Sequence, residues 1–327
     1  MEKILRWGII GCGDVVRRKS GGAFSIDGKS TLAGVFVRRE TEKARQFAEA
    51  QGCALHVGDP DALVRSADAV YIATPPSSHF EYALQAIRQG KHVLVEKPVA
   101  LSGMQCKTLL DEAAKCGVRL FPAFYRRALS PYLQVKAWLA QGRIGQVRQV
   151  LIDQRKRYPS AENGVPWRLL PEISGGGLFE DIGVHTLDMM DCLFGSCTDV
   201  KSIYVNQRQR FQPADTVSIL ASYGAVQAVG NWHLDSFSEK DEIELLGTDG
   251  TIRFSMLTDR GAVLETRQGR EEAPPTEERW LHRPLVENLC DALSGRAEAV
   301  CSEQSALRVA ALVEKIQNQQ SNQRAFS

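Results

Sequence analysis

A short apolar run at residues 4–10 feeds into Gly8-Ile9-Ile10-Gly11-Cys12-Gly13-Asp14-Val15-Val16, and few folds accept that combination. A buried strand that leaves through two closely spaced glycines and enters a helical pattern is the opening of a βαβ unit. The missing side chains at Gly11 and Gly13 permit a tight turn and a close approach of backbone to an anion. The following helix turns free amides towards the same place. The third glycine of this fingerprint is replaced by Val16, which spaces strand and helix further apart.

The alternation continues. Apolar runs at 32–37, 69–73, 92–95 and 119–123 predict buried strands, and 42–50, 78–89 and 104–116 carry helical spacing between them. Such alternation predicts right-handed crossovers and a parallel sheet covered on both faces. After about residue 124 the pattern changes. A helix at 131–141 is followed by strands at 147–156, 199–206, 216–222, 226–232, 242–246 and 251–256. Tyr223-Gly224-Ala225 and Thr248-Asp249-Gly250 supply turns, helices are predicted at 181–193, 281–293 and 303–317, and 270–279 reads as a local loop.

The expected fold class is therefore α/β, in two domains. Residues 1–124 form a doubly wound Rossmann domain, and 125–327 an α+β domain with a large, open, mainly antiparallel sheet. The length agrees, since 327 residues exceed the roughly 250–300 at which one core stops growing. An open sheet with few helices leaves one face uncovered, so a homodimer or homotetramer through the C-terminal sheet is expected.

Charge narrows the partner. Lys and Arg number 40 against 39 acidic residues, without the basic excess that nucleic acid or an anionic membrane demands. No stretch reaches the roughly 20 apolar residues of a membrane helix. Residues 1–10 lack the apolar core of a secretory signal, and the eight cysteines include no CxxC pair, which together predict a cytoplasmic protein with reduced thiols. His56, His92, His233 and His282 have no ligand spacing with Cys or carboxylates, so no metal is expected.

Arg38-Arg39 ends the second predicted strand, where an NAD enzyme offers an acidic residue to the ribose hydroxyls. Two guanidiniums bind phosphate and repel nothing about it, so NADP(H) is expected over NAD(H).

Three further segments carry chemistry: Ala73-Thr74-Pro75-Pro76-Ser77-Ser78-His79, Val95-Glu96-Lys97-Pro98, and Gly175-Gly176-Gly177-Leu178-Phe179-Glu180-Asp181-Ile182-Gly183-Val184-His185. With the N-terminal glycines, and in this order, the chain resembles the glucose–fructose oxidoreductase / inositol dehydrogenase / MocA family over nearly its whole length. The resemblance implies an oxidoreductase moving a hydride between a nicotinamide and a carbinol or ketone carbon of a sugar, cyclitol or related diol. It also implies a cis peptide before Pro98. A nicotinamide-dependent glycosidase and a non-catalytic dinucleotide-binding sensor are alternatives within the same family, the sensor being opposed by the joint presence of Lys97, Asp181 and His185.

Chemistry of the residues agrees. Lys97 follows a buried strand at the carboxyl end of the sheet, where ligands bind, and its ammonium can stabilise a developing alkoxide. Asp181 and His185, four apart on a helix, share a face; a carboxylate beside an imidazole fixes its tautomer and suits it to proton transfer. Gly175–Gly177 are expected to leave room for a ring against bare backbone. The expected cofactor contacts are Gly11, Cys12, Gly13, Asp14, Val15, Arg38, Arg39, Thr74, Pro75, Pro76, His79, Glu96, Lys97 and Pro98. Substrate contacts are expected from Lys97, Arg127, Trp167, Asp181 and His185.

Overall fold

The computed structural model describes residues 4–157 and 164–319. It divides into two compact units, Met1–Ala128 with Glu278–Leu307, and Leu129–Glu277 with Arg308–Ser327. The first unit is thus built from two stretches of sequence rather than one. A segment late in the sequence, including 283–293, belongs with the N-terminal unit because its apolar side chains are buried there.

In the first unit the strands are β1 (Leu5–Ile10), β2 (Ser30–Val37), β3 (Ala54–Val57), β4 (Ala69–Ile72), β5 (His92–Val95) and β6 (Leu120–Pro122). They form one parallel sheet in the order β3-β2-β1-β4-β5-β6, the doubly wound dinucleotide-binding order. The helices α1 (Glu42–Gln51), α2 (Asp61–Ser66), α3 (His79–Arg88) and α4 (Gly103–Lys115) are the crossovers. Thr41 and Ser102 cap α1 and α4 with side chains that accept from Ala44 N and Gln105 N. The core against α3 and α4 is built from Ile72, Val93, Val95, Ala83, Ile87 and Leu109, all fully buried. Strand β3 and helix α2 escaped the sequence reading: β3 is short and only partly buried, and α2 spans six residues.

In the second unit come α5 (Ser130–Ala140), β7 (Val147–Arg155), α6 (Pro171–Ser174), α7 (Val184–Phe194), β8 (Asp199–Val205), β9 (Thr216–Tyr223), β10 (Val226–His233), β11 (Lys240–Gly247), β12 (Gly250–Phe254), β13 (Ala262–Thr266) and β14 (Gly269–Ala273). The eight strands run β14-β13-β12-β11-β7-β10-β9-β8, antiparallel throughout except that β10 lies parallel to β7. Residues 270–273, expected in a loop, instead form edge strand β14 against β13. The side chains of β14 are exposed apart from Ala273, so no alternating apolar signal marks it. On the inner face Phe179 meets Trp232 edge to face at 5.1 Å, and the Tyr132 hydroxyl donates to the Ser255 carbonyl at 2.8 Å. The opposite face is solvent-facing and bears Leu220, Val229 and Leu151 in register across β9, β10 and β7. The chain ends its described part with α8 (Arg283–Leu293) and α9 (Glu303–Asn318). No helix among the described residues is long and apolar enough to cross a membrane.

Candidate active site

Strand β1 ends at the turn the fingerprint requires. Gly11 has φ +104°, and a Cβ there would stand 2.8 Å from the Ala73 carbonyl oxygen, so no side chain fits. A Cβ at Gly13 would meet nothing within 4 Å, which leaves its backbone open to an approaching group. That pair of conditions, one glycine forced and the next bare, fits a dinucleotide pyrophosphate. Asp14 pairs with Arg17. Val16 is fully buried and opens a π-helical turn, Val16–Ser20, so the wider helix accommodates the side chain that stands in place of the third glycine. Cys12 is half-buried, and burial pushes its thiol up to about 11.

At the end of β2, Arg38 and Arg39 are exposed. Arg38 Nε donates to the Tyr82 hydroxyl at 2.9 Å, and its guanidinium lies 5.6 Å over that ring. Glu40 and Glu42 turn to Arg45, at 2.7 and 3.7 Å, while Glu81 attracts Arg38.

Strands β4 and β5 deliver the next two segments side by side. Ser78 Oγ donates to Thr74 Oγ1 at 2.8 Å, and Pro76–Ser78 form one 3-10 turn. His79 is fully buried, with Nε2 2.8 Å from the Thr74 carbonyl and Nδ1 2.8 Å from the Pro98 carbonyl. Both ring nitrogens are thus engaged with backbone. The ring straps the 74–79 loop to the Lys97–Pro98 turn. The Lys97–Pro98 peptide is cis, as the resemblance implies.

Glu96 is turned inwards. Its Oε1 accepts from the Tyr71 hydroxyl at 2.6 Å and lies 2.9 Å from His282 Nε2, and its Oε2 accepts from the Lys97 amide at 3.3 Å. Burial alone would raise this carboxyl, but His282, Tyr71 and the Lys97 charge more than offset it and hold the group down at about 2. His282 stacks on Tyr125 with ring centroids 4.4 Å apart. Arg126 and Arg127 are buried over the Tyr125 and Phe124 rings, at 4.7 and 5.9 Å. Sequence reasoning gave His282 no role; a histidine 186 positions from its carboxylate leaves no local signal.

The second unit holds the other expected residues. His185 is 8% exposed on the first turn of α7, and Asp181 lies in a π-helical turn, Phe179–Gly183, just before it. Asp181 Oδ2 accepts from Arg168 Nε at 3.1 Å, and the Arg168 guanidinium covers Trp167 at 4.4 Å. Arg168 is thus an added member of this cluster. Helix α7 is fixed from its next residue: Thr186 Oγ1 donates to Gln154 Oε1 at 2.8 Å, and Gln154 Nε2 donates to Asp241 Oδ1 at 2.8 Å. The glycine run has an internal explanation. A Cβ at Gly176 would lie 2.3 Å from the Glu180 carboxyl carbon and one at Gly177 2.3 Å from Pro213, while Gly175 has φ +83°. Gly176 and Gly177 thus admit the protein's own side chains. Among the described residues no group of three or more His, Cys, Asp or Glu is placed to hold a metal ion.

Residues 5–124 match the model of the oxidoreductase family with NAD-binding Rossmann fold, and 132–253 match the GFO/IDH/MocA C-terminal domain. The chain belongs to the Gfo/Idh/MocA family of NAD(P)-dependent oxidoreductases acting on CH–OH groups. It is 36% identical over 315 residues to oxidoreductase P35 of Formosa agariphila, covering 94% of this chain and 97% of that one. It is 31% identical to the scyllo-inositol 2-dehydrogenase (NADP(+)) IolU of Bacillus subtilis, over 82% of each chain. The fold is shared with the aldose-aldose oxidoreductase of Caulobacter crescentus, at TM-score 0.85, 20% identity and 98% coverage of both chains.

Proposed function

We propose that the chain oxidises or reduces a carbinol or ketone carbon of a sugar, cyclitol or related polyol, with NADP(H) preferred to NAD(H). The observation that carries this is Lys97. It is half-buried, follows β5, which lies between β4 and edge strand β6, and stands at the carboxyl end of the sheet that also carries the Gly11–Gly13 turn. The residues to hold the dinucleotide are the 11–15 turn, Arg38, Arg39, the 74–76 loop and the Lys97–Pro98 backbone. When bound, the nicotinamide accepts or returns a hydride at its C4. The Lys97 ammonium stabilises negative charge developing on the carbinol oxygen, and His185 takes or returns the hydroxyl proton, oriented by Asp181. Arg127 and Trp167 are assigned to substrate contacts. Two exposed guanidiniums, with Glu40 and Glu42 turned to Arg45, favour a 2′-phosphate, as does similarity to a relative whose name specifies NADP(+).

The test follows nicotinamide absorbance with NADPH and NADH against a panel of ketoses, inosose-type ketones and, in reverse, sugars and cyclitols. Turnover with at least one, faster per micromolar NADPH than NADH, is expected. His185→Ala should then lower kcat about a hundredfold at unchanged nucleotide affinity. Inactivity across the panel removes the substrate class, and an NADH preference removes the phosphate reading.

We also propose a homodimer or homotetramer assembled through the outer face of the eight-stranded sheet, in a cytoplasmic setting. Leu220 and Ile203 are 61% and 50% exposed on that face, and a self-complementary surface is what a two-fold interface needs. Sedimentation should give a dimer or larger that Leu220→Lys dissociates; a wild-type monomer at micromolar concentration removes the proposal.

A further inference from the structure

Residues 280–293 seat on the first unit through several unrelated contacts. Trp280 lies against Gly22 so closely that a Cβ there would stand 2.3 Å from its ring. Lys29 Nζ donates to Glu287 and Asp291 at 2.8 and 2.9 Å, and Leu285, Val286 and Leu289 are fully buried. One side chain of this segment reaches the end of β5: His282, 1% exposed, with Nε2 against Glu96.

Resting on the assignment of Lys97 above, we propose that His282 is a positioning residue for Lys97. With Tyr71 it fixes one oxygen of Glu96, and the other oxygen receives the Lys97 amide. The carboxylate is a bracket. Its Oε1 is anchored from two sides, by a phenol on β4 and by an imidazole from a remote segment, and its Oε2 holds the backbone from which the Lys97 amine is carried. Without His282, Oε1 rests on one donor and Oε2 on a long 3.3 Å bond; the imidazole adds a second donor to Oε1 from a different direction and so narrows the orientations open to the carboxylate. The stacked Tyr125 ring in turn sets the plane of His282. Displacing a reacting group by about 1 Å costs on the order of a hundredfold in rate, so even partial loosening of this bracket is visible in turnover.

Two substitutions separate hydrogen bonding from packing. His282→Phe keeps a ring against Tyr125 and removes the donor; His282→Gln restores an N–H close to the Nε2 position. The first readout needs no substrate: reductive methylation of nucleotide-free protein, followed by mass spectrometry of the peptides carrying Lys97 and, as control, exposed Lys107. Expected is a change of about threefold or more in the Lys97 labelling rate for His282→Phe, near wild-type labelling for His282→Gln, and no change at Lys107 in either. With a turned-over substrate, His282→Phe should lower kcat roughly tenfold or more while the KM for NADPH moves less than about twofold, and His282→Gln should recover most of the loss. If His282→Phe does not fold, Tyr71→Phe removes the other anchor and takes its place in both assays. Identical Lys97 labelling in folded wild type and variants overturns the proposal. Failure of the oxidoreductase reading shows separately, as a wild type that labels as expected but turns over nothing.

Discussion

Two buried glutamates precede the proposed reacting residues, Glu96 before Lys97 and Glu180 before Asp181, and the interior treats them oppositely. Each accepts a phenolic hydrogen bond, from Tyr71 at 2.6 Å and from Tyr204 at 3.0 Å. They differ in the second donor. Glu96 meets an imidazole and stands next to a lysine in the chain; the second side-chain donor to Glu180 is the neutral amide of Gln317, at 2.9 Å. Burial pushes both carboxyls up. For Glu96, His282, Tyr71 and Lys97 outweigh it and hold the group at about 2, whereas backbone amides, Tyr204 and Gln317 do not outweigh it for Glu180, whose pKa stays above the ordinary value. Position in the core does not decide whether a carboxyl is an anion or an acid. The capacity of its partners to carry positive charge does.

The largest effect that can break this contrast is on stability. A glutamine imitates the neutral acid. Glu96 is held from 4.5 down to about 2, so Glu96→Gln should cost roughly 3 kcal/mol at neutral pH, at about 1.4 kcal/mol for each unit. Because this pKa is depressed on folding, the stability it contributes is present above pH 4.5 and is lost as pH falls towards 2; the gap between wild type and Glu96→Gln should close on acidification. Glu180 has the opposite sign. Its raised pKa contributes stability that is complete below the unfolded value and lost as pH rises through the folded one, so Glu180→Gln should be neutral or stabilising at pH 7 and lose that advantage at pH 4. Urea unfolding of both variants at the two pH values measures this. Two variants destabilised equally, with parallel pH curves, would abolish the distinction between the glutamates.

The same contrast shows which parts of the protein were legible in sequence. The parallel sheet was, because strands buried on both faces are written as unbroken apolar runs; β4 and β5 are examples. So was the Gly11–Gly13 turn, whose requirement is local backbone geometry. Strand β14 was not, since its exposed polar side chains carry no alternation. At the candidate site, Lys97, Asp181 and His185 stand out by their motifs, but the meaning of their neighbours does not. Glu96 and Glu180 are each followed by a charged residue, Lys97 and Asp181, but the second side-chain donors that separate them further arrive from positions 282 and 317. The glycine run is ambiguous for a related reason: absence of a side chain shows that something comes close, without showing whether it is a ligand or the protein itself.

That last ambiguity has a smaller but sharper test on the Glu180 side. A methyl added at Gly176 would lie 2.3 Å from the Glu180 carboxyl carbon and 2.4 Å from Oε2, and Gly176 does not have the left-handed backbone that would strain any side chain. Gly176→Ala should therefore cost about 1–2 kcal/mol by overpacking alone. In a Glu180→Ala background the methyl has the vacated space to occupy, and its cost should fall by about 1 kcal/mol, a coupling readable from a double-mutant cycle of urea midpoints. Equal cost in both backgrounds would mean that the loop is not pressed on by Glu180, and the glycines would return to being room for a bound ring. A coupling of the expected sign ties the Gly175–Gly177 loop to the one buried carboxyl of this pair that burial keeps towards its neutral form, while Glu96, its ionised counterpart, braces Lys97.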